Sequence, residues 1–148
     1  MITNQELAAL FVELADIMEL AGENFFKIKA YRQAAVAIGH SQFDIADQSP
    51  EKLLEMPGIG KAIAEKIGSA KASGTFPTLE KWRATGFASF RILISRSPIL
   101  TVKSLRKLIK EYDLKSYDDL KNALSDGRLM NTGKLDSEFV AELRKQVQ

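Results

Sequence analysis

The sequence predicts an all-α fold, and three observations carry that reading. Apolar residues return at three- and four-residue spacing in segment after segment. No stretch alternates with period two over the length of a strand, and Ser, Thr, Asn or Asp stands at the head of most periodic runs. At the amino terminus Thr3 and Glu6 form a capping box, and Leu7, Leu10, Phe11, Leu14, Ile17 and Met18 then share one helical face until Gly22 stops the run. A second helix starts near Asn24 and carries Ile28, Tyr31, Ala35 and Ile38 to Gly39. Ser49-Pro50 opens a short third helix over 51–56, with proline at its first position. A fourth helix covers 61–72 and is closed by Gly74; Thr78 caps a fifth through Trp82, which Gly86 ends. Further helices are expected at 88–95, at 102–112 after Thr101, at 117–126 after Ser116 and at 137–146 after Asp136. The expected architecture is a helical bundle followed by a second small helical unit.

Composition narrows the function classes. With 148 residues, 45% hydrophobic and 27% charged, the chain has the make-up of an ordinary globular protein and the length for one domain or two small ones. No apolar run is long enough to span a membrane, and the polar start Thr3-Asn4-Gln5-Glu6 is unlike a secretory signal. The absence of cysteine excludes disulfides and thiolate metal sites. The expectation is an intracellular protein, cytoplasmic or associated with the nucleoid or nucleus. The single histidine, His40, follows Gly39 at a helix end and reads as a surface or capping residue rather than a ligand or general base.

The net charge of +2 hides an asymmetry. Residues 1–86 hold nine Lys and Arg against eleven Asp and Glu; residues 87–148 hold twelve against eight. Between 91 and 115 the cations Arg91, Arg96, Lys103, Arg106, Lys107, Lys110 and Lys115 face only Glu111 and Asp113, a local excess that attracts a polyanion. Gly86 is therefore the expected boundary, with domains over 1–86 and 87–148 and no long linker between them.

The run Met56-Pro57-Gly58-Ile59-Gly60-Lys61-Ala62-Ile63-Ala64-Glu65-Lys66-Ile67 carries the most function. It is a helix end, a tight turn with two glycines and a helix start. Glycines at 58 and 60 permit positive φ and put no Cβ between the backbone and a visitor, Pro57 stiffens the entry, and Ile59 plugs the turn into the core. The amides that open the following helix then suit a phosphate oxygen. This is the pattern of a helix-hairpin-helix, which grips a nucleic-acid backbone without reading bases. A nucleotide-binding P-loop is excluded: Glu55 stands where that motif needs its first glycine, and Ala62 where it needs Ser or Thr.

Together with Gly22-Glu23-Asn24-Phe25-Phe26-Lys27-Ile28-Lys29-Ala30-Tyr31-Arg32-Gln33-Ala34-Ala35, that run makes the first 85 residues resemble the amino-terminal lyase domain of the X-family (beta-like) DNA polymerases. Residues 87–148 resemble, more weakly, the start of that family's fingers region, through Asp113-Leu114-Lys115-Ser116-Tyr117-Asp118-Asp119-Leu120 and Asp126-Gly127-Arg128-Leu129. Where the second hairpin of the family carries Pro-Gly-x-Gly, this chain has Pro98-Ile99-Leu100-Thr101, and a third near Gly133 is eroded. The chain closes at Gln148 with no palm subdomain and no paired-aspartate motif, so polymerase activity is not expected.

The resemblance implies DNA as partner, in repair or replication and alongside the proteins of those processes, with phosphates held by Gly58, Ile59, Gly60, Lys61, Ala62, Lys27 and Arg32. Lys103, Arg106 and Lys107 add the basic stripe. It implies Lys66 as the amine that forms a Schiff base with an abasic sugar, with Glu65 and Tyr31 beside it. Such chemistry needs a neutral amine, which neighbouring cations and partial burial favour. It further implies a monovalent cation, K⁺ or Na⁺, on the backbone carbonyls of Leu54, Met56 and Ile59; no other cofactor is expected. The pocket departs from the family at Ala62, Phe26 and Thr78, where lysine, histidine and lysine are replaced. Each lost cation removes a contact worth about 1.5–3 kcal/mol. Three functions follow: a DNA-binding module for gapped, nicked or damaged DNA, a deoxyribose-phosphate or abasic-site lyase through Lys66, and a protein-interaction module built on the acidic first helix (Glu6, Glu13, Asp16, Glu19, Glu23).

Overall fold

The computed structural model describes residues 1–129 and 135–147. Among these residues the chain forms nine α-helices and two short 3-10 turns, with no strand: α1 (Asn4–Ala21), α2 (Phe25–Gly39), α3 (Pro50–Leu54), α4 (Lys61–Ser73), α5 (Pro77–Arg83), α6 (Arg91–Arg96), α7 (Val102–Tyr112), α8 (Tyr117–Ser125) and α9 (Ser137–Gln146). The all-α expectation holds. Two compact units divide the chain: Met1–Met18 with Glu23–Trp82, and Glu19–Gly22 with Arg83–Gln148. The division falls after Trp82, and the last turn of α1 belongs to the second unit.

The first unit is built around α1. Thr3 Oγ1 accepts the Glu6 amide, and Glu6 Oε1 accepts the Thr3 amide, each at 3.1 Å, so the reciprocal cap read from sequence is formed. Leu7, Phe11 and Leu14 are fully buried against Ile28, Ala35 and Ile38 of α2, Ile63, Ile67 and Ala70 of α4, and Phe76 and Leu79. Burying each large apolar side chain contributes about 1.5–3 kcal/mol. A 3-10 turn at Ile45–Asp47, which the periodicity did not announce, is held by one side chain: the Asn4 amide donates to Phe43 O at 2.6 Å and accepts the Ile45 amide at 2.9 Å.

The second unit packs Leu20 with Phe90, Leu93, Leu100, Leu105, Leu108, Leu120, Phe139 and Leu143. Helices α7 and α9 keep the bounds read from sequence, and α8 ends one residue earlier.

Four local readings are corrected. Helix α3 stops at Leu54 instead of 56, because the hairpin turn has already begun. Helix α5 starts at Pro77, a residue that suits a first helical position, so Thr78 lies inside the helix and does not cap it. The helix expected at 88–95 divides into a 3-10 turn, Gly86–Phe90, and α6. Gly86 begins that turn rather than ending α5, and its missing side chain has a packing reason: a Cβ there would run into the carbonyl oxygen of Lys115. The eroded third hairpin read near Gly133 lies outside the described residues.

Candidate nucleic-acid interface

The turn between α3 and α4 closes with the Ile59 amide donating to Met56 O at 3.1 Å. Pro57 is its second residue and Gly58, at φ +90°, its third, the marks of a type II turn. Space is not what requires Gly58: a Cβ would sit 3.7 Å from Ala37 Cβ and Gln33 O, an ordinary contact. Its φ is what excludes other residues. Ile59, 3% exposed, fills the core beneath the turn.

Gly60 differs from the expectation of positive φ. At φ −88° and ψ 179° it is extended backbone, the N-cap of α4, open to any residue. A Cβ there would meet nothing within 4 Å. Neither backbone conformation nor steric space therefore requires glycine at 60. Thr3, Asn24, Ser49, Thr101, Ser116 and Asp136 each cap their own helix with a side-chain oxygen. Gly60 has no side chain to offer, so nothing of its own stands between the opening turn of α4 and a ligand. The 13-residue α4 presents its positive dipole end there, with Lys61 and Ala62 exposed beside it.

Ile59 is a correction to the expected phosphate set, because its side chain points inward and its amide closes the turn. Of the carbonyls suggested for a monovalent cation, Met56 O accepts that amide and keeps a second lone pair; Leu54 O and Ile59 O flank it in sequence.

The lysine pocket is assembled by α2 and α4. Lys66 Nζ lies 5.6 Å from the centroid of the Tyr31 ring, within cation–π range. Tyr31 stacks on Phe11 at 6.2 Å and 27°, and Phe11 on Phe76 at 5.2 Å and 27°. An aromatic column thus rises from the core to carry Tyr31 under the lysine. Lys66 is half-buried, whereas Lys27 and Glu65 are exposed; Lys27 stands one helical turn before Tyr31. Sequence reasoning missed Phe11 as the support of Tyr31, since its periodicity marks it only as core.

Arg32 is the second correction. Its Nη1 donates to Asp16 Oδ1 at 3.0 Å, and the Asp16 side chain is only 9% exposed. The guanidinium therefore neutralises a buried carboxylate of α1 instead of standing free for a phosphate. The acidity of α1, read as a surface feature, is at Asp16 an internal ion pair.

In the second unit, taken by itself, Lys103, Lys107 and Lys110 lie exposed on the outer face of α7 while Leu105, Leu108 and Ile109 face the core. Arg106 is half-buried, and a Cβ at Gly22 would collide with its guanidinium, so it lies against the end of α1 rather than in the lysine row. The turn at Pro98 also closes, with the Leu100 amide donating to Ser97 O at 3.2 Å and Leu100 buried beneath it. Among described residues only Asp113 of the non-glycines has positive φ, so Ile99 does not reproduce the Gly58 conformation. Thr101 Oγ1 accepts the Ser104 amide and Ser104 Oγ accepts the Thr101 amide, a capping box that uses the polar groups the first hairpin leaves open.

The helix-hairpin-helix domain family matches residues 2–76. The chain is similar to the DNA polymerase/3'-5' exonuclease PolX of Bacillus subtilis (strain 168), with 30% identity over 123 residues, which is 80% of this chain and 20% of that protein. The chain thus spans a fifth of that relative's length.

Proposed function

The chain belongs to the helix-hairpin-helix domain family, and on that premise we propose that it binds DNA through the phosphate backbone at interruptions such as gaps and nicks, in repair or replication. Gly60 is the observation that carries this reading. Its conformation and surroundings accept any side chain, yet glycine stands there and leaves the opening turn of α4 without a side-chain cap. Gly58 shapes the turn, Lys61 supplies charge beside it, and Lys27 lies on the neighbouring helix. In the second unit Lys103 and Lys107 add phosphate contacts that carry no sequence information. A K⁺ or Na⁺ on the carbonyls of Leu54, Met56 and Ile59 is a further part of the proposal. No helix among the described residues is long and apolar enough to cross a membrane.

Fluorescence anisotropy on gapped DNA with a 5' phosphate tests the reading. Affinity should fall steeply with salt, as counterion release requires, and should not change when the bases are scrambled. Salt-independent binding, or strong preference for one sequence, would contradict it.

The placement of Lys66 against Tyr31 favours a second activity on the same DNA, cleavage of an abasic sugar. The neutral amine of Lys66 attacks the sugar's C1' aldehyde and water leaves, giving an imine. The imine draws electrons from C2', whose proton passes to a base; Glu65 is the candidate. The C3'–O bond then breaks, the oxygen leaving with the 3' phosphate, and hydrolysis of the imine frees the lysine. Borohydride trapping on abasic DNA tests this step: a covalent adduct that disappears in Lys66→Ala is the expected result, and its persistence would remove Lys66 from the mechanism.

A further inference from the structure

Two neighbouring helices of the first unit carry opposite charge. There α1 supplies Glu6, Glu13 and Asp16 and contains no Lys or Arg, while α2 supplies Lys27, Lys29 and Arg32 and contains no Asp or Glu. They run antiparallel in a register that three contacts fix. The Asn4 amide donates to Phe43 O, a Cβ at Gly39 would sit 3.9 Å from Ala8 Cβ, and Arg32 pairs with Asp16 at 3.0 Å. Val12, midway between Ala8 and Asp16, therefore stands level with Val36, which lies between Gly39 and Arg32. Along this seam the surface is apolar: Val12, Val36 and Phe43 are 38%, 60% and 66% exposed. Phe43 is held rigidly in that position. The Ser41 hydroxyl accepts its amide and donates to its carbonyl, each at 3.1 Å, and Asn4 Nδ2 donates to the same carbonyl at 2.6 Å. An aromatic ring kept in water by a fixed backbone has the character of an interface anchor.

We propose that the α1–α2 seam pairs with the same seam of a second copy of this chain, in a two-fold dimer that lays α1 of one protomer on α2 of its partner. Charge names both the occupant and its orientation. The acidic edge of α1 is the one away from α2, since Glu6 borders Ala70 and Lys71 of α4 and Glu13 lies two turns further on. On α2 the exposed Lys29 lies two turns before Val36, on the same face. A two-fold axis along the seam sets that acidic edge against the basic face twice over, and brings Val12 of one protomer onto Val36 of its partner. An axis across the seam would set acid on acid and base on base. Such self-complementarity is what an isologous interface requires, with an apolar centre and a charged rim. DNA, negative throughout, suits only the α2 side. From Asn4 to Asp16 the seam is about 20 Å long at 1.5 Å per residue. That is short for a permanent interface, which buries about 1,600 Å². The dimer therefore forms as concentration rises, and salt weakens it. It uses none of the hairpin amides and forms without DNA.

Sedimentation equilibrium of the full chain, without DNA and at concentrations rising into the millimolar range, tests the pairing. The native chain should pass from monomer to dimer and no further. Val36→Ser/Phe43→Ser changes two exposed side chains, so it should keep the native melting temperature and weaken the association by about tenfold or more. The absence of cysteine allows the arrangement to be read as well. When Val12→Cys and Val36→Cys proteins are mixed and treated with a short bismaleimide, the mixed cross-linked pair should exceed the pair formed by either protein alone. A native chain that stays monomeric at the highest concentration would overturn the proposal and leave the seam to a different protein. A dimer that survives in the folded double variant would place the interface elsewhere and overturn it too. Preferential linkage of Val12→Cys to itself would contradict the pairing of α1 on α2. None of these outcomes bears on DNA binding, so the hairpin reading stands or falls separately.

Discussion

Lys66 Nζ lies over the ring of Tyr31, 5.6 Å from its centroid, and Tyr31 is itself stacked on the buried Phe11. A lysine on an exposed helix face spreads over many rotamers; this one is half-buried and has a partner fixed from below. The pairing links core packing to the proposed chemistry, because whatever loosens Phe11 loosens the floor on which the amine rests.

Tyr31→Phe keeps the ring and should leave the yield of borohydride-trapped adduct on abasic DNA within about twofold of native, whereas Tyr31→Leu removes it. By removing the ring that positions Nζ, Tyr31→Leu should lower the trapping rate by about two- to five-fold. Equal trapping in both variants would show that the ring does not position Lys66.

The two hairpin glycines should separate in stability. Gly58→Ala places a side chain at φ +90° and should cost about 1–2 kcal/mol in urea unfolding. Gly60→Ala meets no strain and no contact, and exchanges one N-cap residue for a poorer one, a cost of about 0.5–1 kcal/mol. A Gly60 variant as unstable as the Gly58 variant would assign Gly60 to the fold.

Arg32→Ala leaves the poorly exposed Asp16 carboxylate without that guanidinium and should destabilise by about 1–3 kcal/mol. Asp16→Asn, which still accepts a hydrogen bond, should cost less. DNA affinity in folded Arg32→Ala should change by less than the loss seen on removing an exposed lysine such as Lys61; a larger loss would return Arg32 to the phosphate set.

Acid should weaken the second unit through Glu142, whose carboxyl is held below its ordinary value of 4.5 by the side chains of Gln146 and Ser97. The folded value is depressed, so the stabilisation is present above pH 4.5 and is lost as pH falls through the folded value. The same sign holds for Glu6, lowered by the Thr3 amide and then the Thr3 hydroxyl. Glu142→Gln should flatten the stability–pH curve below pH 4.5 and leave its shape near neutrality unchanged.

How much of this was legible in the sequence depends on the range of the forces involved. Thr3, Asn24, Ser49, Thr101, Ser116 and Asp136 act on amides two or three residues away, so the helix starts they mark could be read directly. Thr78 failed because Pro77 competes for the same helix start and fits its first position. The Gly58 turn was visible for the same local reason as the caps. Contacts across tens of residues left no periodic trace: Asn4 holding Phe43 and Ile45, Asp16 neutralising Arg32, Lys115 crowding Gly86. Lys66 and Tyr31 were grouped by resemblance, but their contact through the Phe11 column is a product of tertiary packing.

The central claim is that Gly60 is kept bare for a phosphate, and Gly60→Val measures it most directly. Anisotropy with gapped, 5'-phosphorylated DNA should show affinity lower by tenfold or more at fixed salt, a change of about 1.4 kcal/mol, while circular dichroism and urea unfolding confirm an intact fold. Unchanged affinity in the folded variant would contradict the claim and remove the hairpin from the interface.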